Sequence, residues 1–218
     1  MSTEMKKRYL FLILLLGCVV FVLYTYNLGA YGLQAPNETH HVQIANEVLD
    51  TGDWLVPYLD GEIYYQNPIL FYDILAVFSL VAGSMSAIII RLPVVVMAVV
   101  LIMGLAVYIG NKLGIKVGLF SGIILSTMLG FLRFAGQVNL ELFLLLCTTS
   151  AIFLLYEQLA QEDSKWRSYT AFLLLAVAAL IKSPVPLSAL MIIVLYALLA
   201  GRGSELKIIA WGQGLVLY

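Results

Sequence analysis

The sequence predicts an all-α, polytopic membrane protein, a bundle of about six or seven transmembrane helices. Three observations support this fold class: 62% of the 218 residues are hydrophobic, only 11% are charged, and apolar stretches of membrane-spanning length recur along the chain. Soluble domains are about 45–50% apolar and about 25% charged, so a water-soluble fold of this size could not bury so much apolar surface. The net charge of −1 gives no electrostatic footprint for nucleic acid.

The apolar stretches define the predicted spans, because each is long enough to cross a hydrocarbon core of ~30 Å. They cover residues 9–26, 89–110, 117–135, 139–157, 168–183 and 185–200, and another begins near residue 207. The sequence therefore predicts one membrane domain over 1–218, with a first span at 9–26, an outer loop at 27–88 and a helix bundle at 89–218. This bundle is expected to be truncated, because the chain ends within an apolar segment.

The apolar segment 69–83 is short for a span and carries Asp73, which is typical of a re-entrant or interfacial helix. If it does not cross the membrane, nine of the twelve Lys and Arg residues share the side of the N-terminus; if it crosses, six lie on each side. The positive-inside rule favours the first arrangement, with a cytoplasmic N-terminus. The outer loop then holds seven of the 13 acidic residues.

Residues 38–51 of the outer loop are predicted to form an amphipathic juxtamembrane helix. Asn37 is a suitable N-cap and Gly52 a suitable stop. The apolar face of this helix would consist of Val42, Ala45, Val48 and Leu49.

Five short motifs follow one another along the chain in a recognisable order. They are Pro36-Asn37-Glu38-Thr39-His40-His41, Thr51-Gly52-Asp53-Trp54, Gly61-Glu62-Ile63-Tyr64-Tyr65-Gln66-Asn67-Pro68, Arg91-Leu92-Pro93 and Lys182-Ser183-Pro184. In order and spacing they resemble the GT-C-fold membrane glycosyltransferases of the protein O-mannosyltransferase and lipid A aminoarabinose transferase group. The resemblance implies an enzyme of the inner (cytoplasmic) membrane that transfers a sugar from a polyprenyl-phosphate carrier on the outer side. Its partners would be membrane lipids and the polyprenyl-phosphate-linked sugar.

The resemblance also implies a set of site residues. The catalytic positions would be Glu38, Asn37 and Asn139; Arg133 and Lys182 would bind the donor phosphate; His41, Asn67 and Glu141 are further candidates. In such a reaction a carboxylate deprotonates the acceptor or holds a divalent metal, and basic groups stabilise the leaving lipid phosphate. His40 and His41 are adjacent and so cannot form an i,i+4 metal pair, and no metal-ligand set is predicted.

Three amides depart from the family pattern. Asn37 and Asn139 stand where the family has aspartates, and Asn67 stands in place of a lysine. An amide is not a base at neutral pH, and a positioned base typically contributes about 10²–10⁴-fold to the rate. The departures favour an alternative function: a catalytically inactive, truncated homologue that serves as a structural subunit of a larger membrane complex. Structural roles compete with the functional ones at three of these residues. Asn37 would cap the helix, and Arg133 and Lys182 would extend their charged ends toward the lipid headgroups.

Overall fold

The computed structural model describes residues 3–26, 28–34, 36–160, 165–209 and 211, with backbone alone for residues 3–6. It confirms the all-α prediction. The helices are α1 (Thr3–Thr25), α2 (Asn37–Thr51), α3 (Leu70–Ala82), α4 (Ala87–Leu113), α5 (Ile115–Thr127), α6 (Leu129–Ala135), α7 (Glu141–Ala160), α8 (Trp166–Ala179) and α9 (Leu187–Leu199). A hairpin of β1 (Tyr58–Leu59) and β2 (Glu62–Ile63) precedes α3, and a 3₁₀ turn (Gly203–Ile208) follows α9.

Three of the described helices are long and apolar enough to cross a membrane: α1 from Lys7 onward, α4 and α7. They match the predicted spans at 9–26, 89–110 and 139–157. The α5–α6 pair is a fourth candidate, but it is bent by 68°. In the predicted spans 168–183 and 185–200, α8 and α9 have only 14 and 13 residues, fewer than the ~20 of a perpendicular span. The stretch predicted from residue 207 lies largely outside the described residues.

The predicted span at 117–135 is broken at Met128, whose backbone is extended. The hydroxyl of Ser126 donates to the Ile123 carbonyl, and that of Thr127 donates to the carbonyls of Ile123 and Ile124. Such bonds offer helical carbonyls a side-chain partner and often accompany bends. The last turns before Met128 are therefore suited to ending α5, although the apolar sequence runs on without a gap.

One compact unit comprises residues 1–52 and 72–142. Within it α4 runs antiparallel to both α1 and α5. The Tyr9 hydroxyl donates to the Ala106 carbonyl at 2.6 Å, and that of Tyr24 donates to the Ser126 carbonyl at 2.8 Å. A Cβ on Gly118 would lie 2.6 Å from the Gly110 Cα, so glycine permits the close approach of α4 and α5.

This packing gives the unit two ends of different charge. The start of α1, with Lys7 and Arg8, lies at the same end as the turn between α4 and α5, where Lys112 and Lys116 flank Gly114. The described residues of this same unit that lie between α1 and α4 are at the opposite end.

Helix α2 is the predicted juxtamembrane helix, and it ends as expected at Gly52, which has a φ of 71°. Ile44, Ala45 and Val48 are buried, whereas the predicted face residues Val42 and Leu49 are half-buried. The prediction that Asn37 caps this helix is wrong. Pro36 occupies the N-cap position with a helical backbone, so the first turn begins before Asn37, which lies exposed within it.

The other compact unit comprises residues 53–71 and 143–218. Asp60 and Gly61 form its hairpin turn, both with positive φ, as a type I′ turn requires. The Asp53 carboxylate accepts the N–H groups of Leu55 and Val56 and fixes the turn before β1. The core of this unit lies between α7, α8 and α9 and includes Leu155, Phe172, Leu175 and Ile193.

Candidate functional site

A buried ion pair joins the first turn of α2 to the start of α4. Arg91 Nη2 donates to Glu38 Oε2 at 2.7 Å, and Arg91 Nε donates to Glu38 Oε1 at 3.0 Å. Both side chains are only 3% exposed. A guanidinium that contacts both carboxylate oxygens forms one of the stronger and more directional polar contacts in proteins.

The remaining donors of Arg91 bind the chain segment between α1 and α2. Nη1 donates to the carbonyls of Leu28 at 2.6 Å and Tyr31 at 3.0 Å, and Nη2 donates to the carbonyl of Gly32 at 3.0 Å. All five guanidinium N–H groups are therefore used. Arg91 fixes this otherwise irregular segment against α4.

Glu38 is equally well satisfied. Its Oε1 also accepts the Val138 N–H at 2.6 Å, and its Oε2 accepts the Gln34 N–H at 2.8 Å. Each oxygen thus accepts two hydrogen bonds. We call these contacts of Glu38 and Arg91 with each other and with the backbone of residues 28–34 and 138 the Glu38–Arg91 network.

The protonation of Glu38 follows from these contacts. Burial alone raises the pKa of this carboxyl, but the Arg91 guanidinium and the N–H groups of Gln34 and Val138 stabilise the charged form and hold the pKa below its usual value. A carboxylate with a lowered pKa and four donors is poorly suited to taking up a proton. It also presents no free oxygen to a metal ion.

The loop between α6 and α7 is held by a second group of hydrogen bonds. The Asn139 amide donates to the carbonyls of Phe134 at 2.6 Å and Gln137 at 2.9 Å, while its oxygen accepts the Glu141 N–H at 3.2 Å. Gln137 Nε2 in turn donates to Gln34 Oε1 at 2.8 Å. Asn139 thus supports the loop that delivers the Val138 N–H to Glu38.

Replacing Asn139 with aspartate, the family residue, is therefore expected to loosen the loop. A carboxylate can still accept the Glu141 N–H, but it cannot donate to the carbonyls of Phe134 and Gln137. We expect the peptide covering 134–139 to exchange its amide hydrogens faster in N139D, with a destabilisation of about 1–3 kcal/mol. Hydrogen exchange of the 134–139 peptide measures this loosening. The matched control is Asn111→Asp, which makes the same change at an exposed position. A gain of sugar transfer with unchanged exchange would contradict the assignment.

Arg133 differs from Arg91 in its exposure and in its contacts. It lies exposed in the last turn of α6, and within the described residues no hydrogen bond or ion pair involves its side chain. The side chains around it in sequence are apolar and exposed, namely Leu129 (84%), Leu132 (39%) and Phe134 (45%). Because Phe134 accepts a hydrogen bond from Asn139, this cation lies next to the loop that the network holds.

The other predicted residues fall into two groups. Asn37, His41 and Glu141 belong to the same compact unit as Glu38. The His41 ring lies 5.7 Å from that of Tyr72, and Glu141 opens α7. Asn67 and Lys182 belong to the other unit, where Asn67 Nδ2 donates to Tyr64 Oη at 3.4 Å and Lys182 is half-buried after α8.

The residue that sequence reasoning missed is Arg91, which was noted only as part of a motif. A signal for it exists, because Arg91 is the only Lys or Arg between Arg8 and Lys112. A charge near the end of an apolar helix is costly unless it is paired, so a partner among the acidic residues of the loop could have been expected. In the described part of the chain no three His, Cys, Asp or Glu residues form a group that could hold a metal ion.

Comparison with known proteins gives concordant results. The model of the family described as dolichyl-phosphate-mannose-protein mannosyltransferase matches residues 66–218. An undecaprenyl phosphate-alpha-4-amino-4-deoxy-L-arabinose arabinosyl transferase of Pseudomonas fluorescens is 34% identical over 83 residues, 38% of this chain and 14% of that protein. A transferase of the same description from Sodalis glossinidius is 40% identical over 55 residues, 24% of this chain and 10% of that one.

The fold has a close counterpart among solved structures. The crystal structure of ArnT from Cupriavidus metallidurans bound to undecaprenyl phosphate superposes with a TM-score of 0.85 at 18% identity, covering 94% of this chain and 39% of that one. The apo structure of the same protein gives 0.83 at 17% identity. The chain thus spans well under half the length of the proteins it resembles.

Proposed function

Because the chain belongs to the dolichyl-phosphate-mannose-protein mannosyltransferase family, we propose that it is a membrane module of a glycosyltransferase that takes its sugar from a polyprenyl-phosphate carrier. It is a multi-pass, glycosyltransferase-like membrane protein with the GT-C architecture. The names of its relatives and the undecaprenyl phosphate bound to the solved neighbour support such a carrier as the donor. The observation that carries the proposal is Arg133, a cation without a described partner on an apolar surface.

Arg133 would bind the phosphate of the carrier. A guanidinium matches the geometry of phosphate oxygens, and the exposed apolar side chains beside it suit an isoprenoid chain. As the bond from sugar to phosphate breaks, negative charge grows on the departing lipid phosphate, and a fixed cation stabilises it. Lys182 is proposed as a second phosphate ligand, as its motif resembles the Lys-Gly-Pro of the family.

Glu38 would act as a positioning residue rather than as the base. Its oxygens are committed to Arg91, Gln34 and Val138, and through Val138 they hold the loop next to Arg133. Asn139 would support the same loop from within. Asn37, His41 and Glu141 are proposed to contact the sugar or the acceptor, because they lie beside this network in sequence and in the same unit.

We propose the cytoplasmic membrane as the location, with the N-terminus inside. Lys7, Arg8, Lys112 and Lys116 gather at one end of the described unit, and residues 37–52 and 72–90 at its other end include no Lys or Arg. The site would then face the outer side, where a flipped polyprenyl-phosphate sugar is presented.

Ligand binding to the full-length protein in nanodiscs tests the proposal. We expect undecaprenyl phosphate to bind at least about tenfold more tightly than undecaprenol, because one charge-assisted contact is worth about 1.5–3 kcal/mol. Equal affinity for the two lipids would overturn the phosphate site. Failure to bind either lipid, in a complex of fixed subunit ratio, would instead support a structural subunit.

A further inference from the structure

Two glutamines complete a closed ring of hydrogen bonds at the edge of the Glu38–Arg91 network. Gln137 Nε2 donates to Gln34 Oε1 at 2.8 Å, and the backbone N–H groups of Gln34 and Val138 donate to the two oxygens of Glu38 at 2.8 and 2.6 Å. Because Val138 directly follows Gln137, these four residues form one ring. Gln34 is exposed and Gln137 is half-buried. We call their two side-chain amides the amide pair.

Backbone contacts hold the amide pair in place on both sides. The Arg91 guanidinium binds the carbonyl of Gly32 at 3.0 Å, two residues before Gln34. The Asn139 amide binds the backbone carbonyl of Gln137 at 2.9 Å. A ligand would therefore meet amides that are already ordered, and little conformational entropy would be lost on binding.

The amide pair keeps donors and acceptors for a ligand. Within the described residues, the bond between the two amides is the only side-chain hydrogen bond of either glutamine. A glutamine amide has two N–H groups and an oxygen with two lone pairs, so the pair can still donate three N–H groups and accept at both oxygens. A hydroxyl group both donates and accepts, and it is therefore a suitable partner for such a pair.

The amide pair lies beside the proposed phosphate ligand. Gln137 follows Arg133 by four residues, and the chain between them still turns as a helix does. The N–H of Gly136 bonds to the Leu132 carbonyl at 3.2 Å, and that of Gln137 bonds to the Phe134 carbonyl at 3.5 Å. Residues four apart on a helical turn are neighbours, with Cβ atoms about 5–6 Å apart. In a polyprenyl-phosphate sugar the sugar is attached to a phosphate oxygen, so its hydroxyls lie next to the phosphate.

We propose that the amide pair of Gln34 and Gln137 binds hydroxyl groups of the sugar on the carrier and so contributes to the choice of sugar. This inference rests on the proposed function, since Arg133 must bind the phosphate for the sugar to reach the pair. A pair that served the loop alone would strengthen the binding of every carrier equally. A pair that contacts the sugar strengthens only the binding of carriers with hydroxyl groups at that place.

Affinities of the full-length protein in nanodiscs for carriers of equal charge separate these two roles. The sugar-bearing carriers are the undecaprenyl phosphate esters of mannose and of 4-amino-4-deoxy-L-arabinose. The reference is undecaprenyl methyl phosphate, a diester with a methyl group in place of the sugar. We expect the wild type to bind one of the sugar-bearing carriers about tenfold more tightly than the reference, the value of two neutral hydrogen bonds.

Gln137→Leu and Gln34→Leu should each reduce this ratio of affinities to about threefold or less, because one partner of the sugar is removed. Gln34→Leu keeps the backbone N–H that binds Glu38, so the anchor of the loop is left in place. The matched control is Asn111→Leu, which removes an exposed amide near the end of α4 and should leave the ratio unchanged.

An equal loss of affinity for the sugar-bearing and methyl carriers in Gln137→Leu would make the amide pair a support of the loop and overturn the proposal. A wild-type ratio near one for both sugars would overturn it as well. Failure of the proposed function gives a different result, because the wild type would then bind no phosphate-bearing carrier more tightly than undecaprenol. That result would overturn the donor site, and the sugar site with it.

Discussion

Replacing Arg91 with methionine is expected to lower the free energy of unfolding by about 3–5 kcal/mol. The substitution leaves the Glu38 carboxylate buried without its counter-charge, and the carbonyls of Leu28, Tyr31 and Gly32 lose their donors. Thermal unfolding in detergent measures the loss. The matched control is Arg133→Met, which removes an exposed guanidinium and should change stability by less than about 0.5 kcal/mol.

Two further results are expected from the same pair. Replacing both partners, Glu38→Leu with Arg91→Met, should recover part of the stability, because no buried charge remains.

The pKa of Glu38 is lowered in the folded state. The contribution of Glu38 to stability is therefore complete above the ordinary glutamate pKa and is lost as the pH falls through the lowered value. The difference between wild type and R91M should therefore shrink in strong acid. Equal tolerance of R91M and R133M would contradict the network.

Replacing Arg133 with glutamine is expected to weaken the binding of undecaprenyl phosphate by about 10- to 100-fold, the value of one charge-assisted contact. Affinity for undecaprenol should not change, because the apolar surface beside Arg133 is left intact. Arg133→Lys keeps the charge but not the planar geometry and should lose less. Binding isotherms in nanodiscs distinguish these variants. Unaltered affinity in R133Q, with the fold intact, would remove Arg133 from the donor site.

The amphipathic helix α2 and the Asp60-Gly61 turn follow from local sequence, because periodicity and backbone preference specify them within a few residues. The break at Met128 does not, since the apolar run is uninterrupted and only the hydroxyl bonds of Ser126 and Thr127 accompany it. Two described helices, α8 and α9, are shorter than the hydrophobic stretches that predicted them, because hydropathy records composition and not where a helix ends.

The contacts within the candidate site could not be predicted from the sequence. Glu38, Asn139 and Glu141 were selected by motif, and they do lie along one series of hydrogen bonds. The partner of Glu38 is 53 residues away, and no short-range pattern specifies such a pairing. In the sequence, Asn139 indicated the loss of a charge. In the structure its amide donates to two backbone carbonyls, which an aspartate carboxylate would leave without these donors.

Glu38 is proposed to position the loop beside Arg133. Hydrogen exchange at the Val138 amide of the full-length protein, combined with undecaprenyl phosphate affinity in wild type and Glu38→Ala, tests this role. We predict faster exchange at Val138 and weaker binding together, because the amide loses its acceptor and the loop its anchor. Unchanged exchange and unchanged affinity, with only sugar transfer lost, would show instead that Glu38 takes part in the chemical step.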